Sequence, residues 1–188
     1  MVMLLRRIIL LAALLALLVP ATARAAGGNY VFDGGTPRQQ AQVVAALDAS
    51  TFNWSIVPAR VTIHITPGVD MEATPGEIWV DPSLLVTGRF AWGPIQHEYA
   101  HQVDFFVLDE VQREALMATL GGTTWWGDAS VPHGDRAAER FASTLAWTYW
   151  QSKENSLRPA SRRDEAGAVR PPVFRALLAR VLGTTAAR

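Results

Sequence analysis

Trp92-Gly93-Pro94-Ile95-Gln96-His97-Glu98-Tyr99-Ala100-His101-Gln102-Val103-Asp104-Phe105-Phe106-Val107-Leu108 is the stretch whose reading decides the rest of the chain. Together with Phe90 and Ala91 it places apolar side chains on almost every side of a 3.6-residue period, and a helix of that kind is buried. Yet it carries two imidazoles and a carboxylate, which need partners once they leave water. His97 and His101 stand at i and i+4, about 40° apart around the axis and one turn apart along it. Two neutral imidazoles so placed can reach one ion, and imidazole is a good Zn²⁺ ligand. Glu98 lies a further step of about 100° round the axis. It cannot join the histidines as an equal ligand, but it is placed to take a proton from a water beside the ion. Bound Zn²⁺ brings the pKa of such a water to about 7. Tyr99 is about 200° from His97 and faces away, into the core.

Working outward from this helix, a catalytic zinc site requires a third protein ligand and an open fourth position. The sequence has no cysteine and four histidines, His64, His97, His101 and His133, so the third ligand comes from His, Asp or Glu. Glu139 is the first choice. It begins a second helix, read over Arg136 to Gln151, in which Ala142, Leu145, Ala146 and Tyr149 follow at core spacing, so its carboxylate lies on or beside a buried face where a lone charge is costly. Asp135, one turn earlier, and His133 are the alternatives. His133 is also the candidate for stabilising an oxyanion. Tyr149 lies about 15 Å along the axis from Glu139 and packs instead. Trp125-Trp126, in a loop over Gly121 to Pro132, reads equally as a substrate-contacting patch or as a loop anchor.

Before the central helix the pattern changes. Asn29 to Phe32 reads as a short strand, and Thr36-Pro37 as an N-cap with proline in the first turn of a helix running to Ala49. Val61-Thr62-Ile63-His64-Ile65 alternates with period two, and Glu77 to Val80 is a second such run. Helices are expected over Trp92 to Leu108, Glu110 to Leu120 and Pro172 to Leu182. Strands first and helices after predict an α+β fold.

The chain has 188 residues, 49% of them hydrophobic, which predicts one domain with a full core. Lys plus Arg and Asp plus Glu are equal at 17 each, which argues against a nucleic-acid partner, since that requires a basic face. The N-terminus reads as an export signal. Arg6-Arg7 precede an apolar run, Ile8 to Val19, and Ala23-Arg24-Ala25 fits a cleavage site before Ala26. That run is shorter than the roughly 20 residues a membrane span needs, so no stable anchor is expected once it is cut. The paired arginines suit twin-arginine export, but the Leu-rich run favours the general secretory route. The expected organisation is a signal peptide over residues 1–25 and one domain over 26–188.

The HEYAH segment followed by Glu139 on a later helix resembles the gluzincins, the thermolysin-like branch of zinc metallopeptidases. The likeness rests also on the strand Glu77 to Val80 and covers about residues 60 to 150. It implies a zincin-like fold: a small N-terminal sheet with a strand lining a cleft, an active-site helix, and C-terminal helices that cross it. It implies Zn²⁺ as cofactor and hydrolysis of a peptide or protein substrate outside the cytoplasm. Two features depart from the pattern. Ser143 stands where the family often has an Asp that orients a zinc histidine, a role Asp104 is positioned to take instead. The chain is also short, so the usual second lobe is reduced. Two other readings remain open: a zincin-like module that binds without cleaving, and a zinc hydrolase of non-peptide amides such as cell-wall material. Glu98 favours an enzyme, since a pure binding module needs no base.

Overall fold

The computed structural model describes residues 27–128 and 130–183. The expected signal peptide lies outside the described residues. Four strands make one sheet: β1 (Tyr30–Gly34), β2 (Val61–Ile65), β3 (Glu72–Thr74) and β4 (Glu77–Val80), in the order β1-β2-β4-β3. The first, second and fourth are mutually parallel, and β3 pairs antiparallel with β4 at the edge. The α-helices of the described residues are α1 (Pro37–Ala49), α2 (Pro82–Leu85), α3 (Trp92–Val107), α4 (Glu110–Leu120), α5 (Ala137–Tyr149) and α6 (Pro171–Leu182). This is a zincin-like α+β arrangement. Strands do not all precede helices, however, because α1 supplies the crossover that parallel neighbours β1 and β2 require.

Local chemistry sets the boundaries. Thr36 caps α1, its hydroxyl accepting from the Gln39 amide while the Gln39 side chain returns to the Thr36 amide, and Pro37 opens the helix. Asp109 and Gln112 make the same reciprocal cap on α4, so α3 and α4 are separated by little more than Leu108. In β2 the odd positions Val61, Ile63 and Ile65 are buried and His64 lies on the other face. There its Nδ1 sits 2.9 Å from Asp33 and its ring stacks on Trp79 at 5.1 Å. The buried face of the sheet contributes Ile63, Ile78 and Val80 to a core shared with Val43 and Leu47 of α1 and Ile95, Tyr99 and Val103 of α3. Each such aliphatic side chain contributes about 1.5–3 kcal/mol on burial.

The three-residue β3 is too short for a period-two signal, and it was not expected from sequence. It is held by Gln102, which is fully buried on α3. The Gln102 amide donates to the carbonyls of Thr74 (3.0 Å) and Glu77 (3.2 Å) and accepts from the Gly76 amide (2.9 Å). Gly76 turns the hairpin at φ +86°, in the left-handed region. One side chain of the central helix therefore satisfies the hairpin and fixes the sheet edge beside it. On its opposite side α3 packs against α5. Ala100, Ala138 and Ala142 are all essentially buried, and small side chains let two helices approach closely. Below them Phe141, Leu145, Phe174 and Leu178 complete the core.

Candidate metal centre

Helix α3 brings His97 and His101 onto one face, 7% and 6% exposed, with Glu98 beside them at 8%. Ligand atoms of the three lie within 4.8 Å of one another. Helix α5 adds Glu139 from the opposite side. Its Oε2 is 3.1 Å from His97 Nε2 and 3.3 Å from His101 Nε2, and the two imidazole Nε2 atoms are 3.1 Å apart. Tetrahedral zinc with bonds of about 2.0–2.1 Å separates its ligand atoms by about 3.3 Å. The three edges match that spacing, and the donor set of two imidazoles and a carboxylate suits a divalent ion such as Zn²⁺. The cluster is a zincin-like HExxH metal-binding motif.

Charge in the cluster is strongly coupled. Burial pushes the Glu139 carboxyl up, but hydrogen bonds from His101 and His97, together with their charge, outweigh this and hold it well below the usual carboxylate range. Burial pushes His101 down, and the bond to Glu139 with the charges of Glu139, Glu98 and Asp104 turns the balance upward. No arginine competes for Glu139 from its own helix turn. Arg140 donates to the carbonyls of Gly134 and Leu120, both at 2.7 Å. Arg136 donates to those of Val131 and Asp128, both at 2.8 Å. The two guanidiniums thus fix the loop and leave the carboxylate to the histidines.

The loop in turn closes the helix end. The carbonyls of Thr124 and Trp125 accept from the amides of Ala137 and Ala138, at 2.8 and 3.1 Å, satisfying the first turn of α5 without a side-chain cap. The tryptophan pair divides its work. Trp125 is buried and donates its indole N–H to Asp104 at 3.1 Å. Trp126 is 46% exposed and stacks on Phe105 with ring centroids 5.4 Å apart. Trp126, Phe105, Met71 and Ala73 wall a cleft of about 280 Å³ whose floor carries His97, His101, Glu98 and Glu139.

The other candidate residues fall in different places. Asp104 is fully buried, and its carboxylate accepts from Arg113 at 2.7 Å as well as from Trp125. These bonds keep a charge that would be very costly alone in the core, and they point away from the role expected for it. The His101 Nδ1 that an orienting carboxylate would reach is buried without a partner among the described residues. Asp135 is exposed and does not line the cleft. His133 lines the cleft rim on a short 3-10 turn, 58% exposed at its side chain, with Nε2 3.0 Å from Glu139 Oε2. Tyr99 is fully buried, edge-on to Trp54 and Tyr30. His64 stands apart from the other three histidines on the far face of the sheet.

Two further residues touch the cluster from behind. Ser143 Oγ is 3.0 Å from His97 Nδ1, and Glu165 Oε2 is 3.0 Å from that hydroxyl. Glu165 Oε1 is 2.7 Å from His133 Nδ1. Sequence reading singled out Ser143 only as a departure and passed over Glu165 altogether. Comparisons with protein-family models, with curated proteins and with solved structures find no match for this chain.

Proposed function

We propose that the chain is a zinc-dependent peptidase that cleaves extended segments of protein, with His97, His101 and Glu139 holding the ion and Glu98 as general base. The observation that carries this reading is the convergence of His97 Nε2, His101 Nε2 and Glu139 Oε2 within 3.1–3.3 Å of one another at the floor of an open cleft. When bound there, Zn²⁺ supplies Lewis acidity toward a water and toward a substrate carbonyl.

The protein's own groups do the rest. Glu98 takes a proton from the attacking water and passes it to the leaving nitrogen. One water is consumed, the C–N bond breaks, and a carboxylate and an amine result. Among the described residues β3 is the edge strand of the sheet and borders the cleft with Glu72 and Ala73, which suits an extended peptide that adds as a further strand. The Phe105–Trp126 wall suits an apolar side chain next to the cut bond. His133 reaches the rim as a donor for the carbonyl oxygen when both its ring nitrogens are protonated. The test is hydrolysis of an unfolded protein by chain stripped of metal and then restored with zinc.

We also propose that the protein acts outside the cytoplasm after removal of residues 1–25. No helix of the described residues is long and apolar enough to cross a membrane. Mass spectrometry of the native N-terminus is expected to find a chain beginning at Ala26. A chain that keeps Met1 and stays in the cytoplasm would remove this proposal and its extracellular substrate.

A further inference from the structure

We infer that Glu165 is the positioning carboxylate of the metal centre, serving two histidines at once: His97 through the Ser143 hydroxyl, and His133 directly. The inference rests on the zinc reading of the site and assigns the residue that sets its ring tautomers.

The direction of each hydrogen bond follows from what the groups can do. A carboxylate only accepts. Both contacts to Glu165 must therefore be donated to it: O–H from Ser143 at 3.0 Å and Nδ1–H from His133 at 2.7 Å. The serine proton is then committed, so toward His97 Nδ1, 3.0 Å away, the hydroxyl can only accept. When an ion takes over the contact between Nε2 and Glu139, His97 consequently keeps its proton on Nδ1 and presents a lone pair at Nε2, the atom that faces His101 and Glu139. That is the tautomer a metal ligand must have. The bond to Glu165 likewise fixes the His133 ring, whose Nε2 faces Glu139 Oε2 at 3.0 Å on the cleft side. A carboxylate reached through one hydroxyl thus does what an adjacent Asp would do, and its second oxygen orients a ring at the rim.

The segment around Glu165 is built to hold it still. Glu165 opens a 3-10 turn, Glu165–Gly167, packed on α5. Its carbonyl accepts from the fully buried Thr144 hydroxyl at 3.1 Å. Asp164 ties the approach by accepting from the amides of Ala160 (2.6 Å) and Ser161 (2.9 Å). A side chain at Gly167 would collide with the Ser161 carbonyl, so only glycine permits the turn to close this tightly. Ala166 beside it is 3% exposed. Ser143 itself is 1% exposed, so the hydroxyl that links His97 to Glu165 is held inside the fold, while Glu165 keeps 26% of its side chain exposed.

The test compares Glu165→Gln and Ser143→Ala with the parent, using two readouts that need no peptidase activity. Zinc affinity is measured by competition with a chromophoric chelator, and the ring tautomers of His97 and His133 by long-range proton–nitrogen NMR. Gln keeps the size of Glu but loses its charge and replaces one accepting oxygen with a donating amide, so the bond to one donor is lost and the bond to the other is weakened. Glu165→Gln is expected to weaken zinc binding about 10–100-fold and to disturb both rings. Ser143→Ala is expected to weaken zinc comparably and disturb His97 while His133 keeps its parent signals. If folded Glu165→Gln protein binds zinc as the parent does, or changes His133 alone, the inference is overturned. Failure of the peptidase reading would show instead as a parent that binds zinc with these tautomers and cleaves nothing.

Discussion

Glu98→Gln is expected to abolish peptide hydrolysis while leaving zinc binding at the parent level. The glutamine has the shape of the glutamate and can still hydrogen bond, but it cannot take a proton. General-base catalysis supplies about 10²–10⁴-fold, and more where the base also creates the nucleophile. Glu98 is 8% exposed at the cleft floor, with a carboxylate oxygen within 4.8 Å of a ring nitrogen of each histidine. Its loss should therefore appear in kcat, with zinc content and thermal stability unchanged. Steady-state kinetics on an unfolded protein substrate, run beside a metal assay, checks this. A Glu98→Gln protein that cleaves as fast as the parent would mean that hydrolysis occurs elsewhere on the molecule.

Glu139→Ala acts on the other quantity. A complete structural zinc site supplies about 10–16 kcal/mol at neutral pH. One of three protein ligands is then worth about 3–5 kcal/mol, or roughly 10²–10⁴ in affinity. Chelator competition is expected to show a loss in that range, with activity falling in step at limiting zinc. The geometry also says what the competing assignment would look like. His133 Nε2 lies 3.0 Å from the same carboxylate oxygen. Were His133 the third ligand, His133→Ala would show this loss and Glu139→Ala would not.

What could be read in the sequence and what could not follows from the range over which each signal acts. The central helix was legible because periodicity and the i, i+4 imidazole pair lie within one element. The cap at Thr36 was legible from the Thr-Pro pair that opens its helix, and β2 declares itself by alternation, whereas the cap at Asp109 emerged only in the structure. Glu139 was reachable because a charged residue opening an apolar helix asks for a partner. Glu165 gave no such signal. It follows a polar stretch, Arg158 to Arg163, that reads as solvated loop, and its importance arises only because the chain folds back onto α5. Asp104 shows the converse. Its place on the α3 face made it a plausible orienting group, but Arg113 and Trp125 from other segments claim its oxygens. The strand β3 was missed because Gln102, and not an alternating pattern of its own, holds it in place.

The central claim, that one zinc in this cleft makes the chain a peptidase, is tested most directly by titration. Protein stripped with a chelator is returned to zinc stepwise while cleavage of an unfolded protein is followed. Activity is predicted to be absent at the start, to rise with added zinc and to reach its plateau at one zinc per chain. A chain that takes up one zinc and cleaves no protein at any point in the titration would contradict the account.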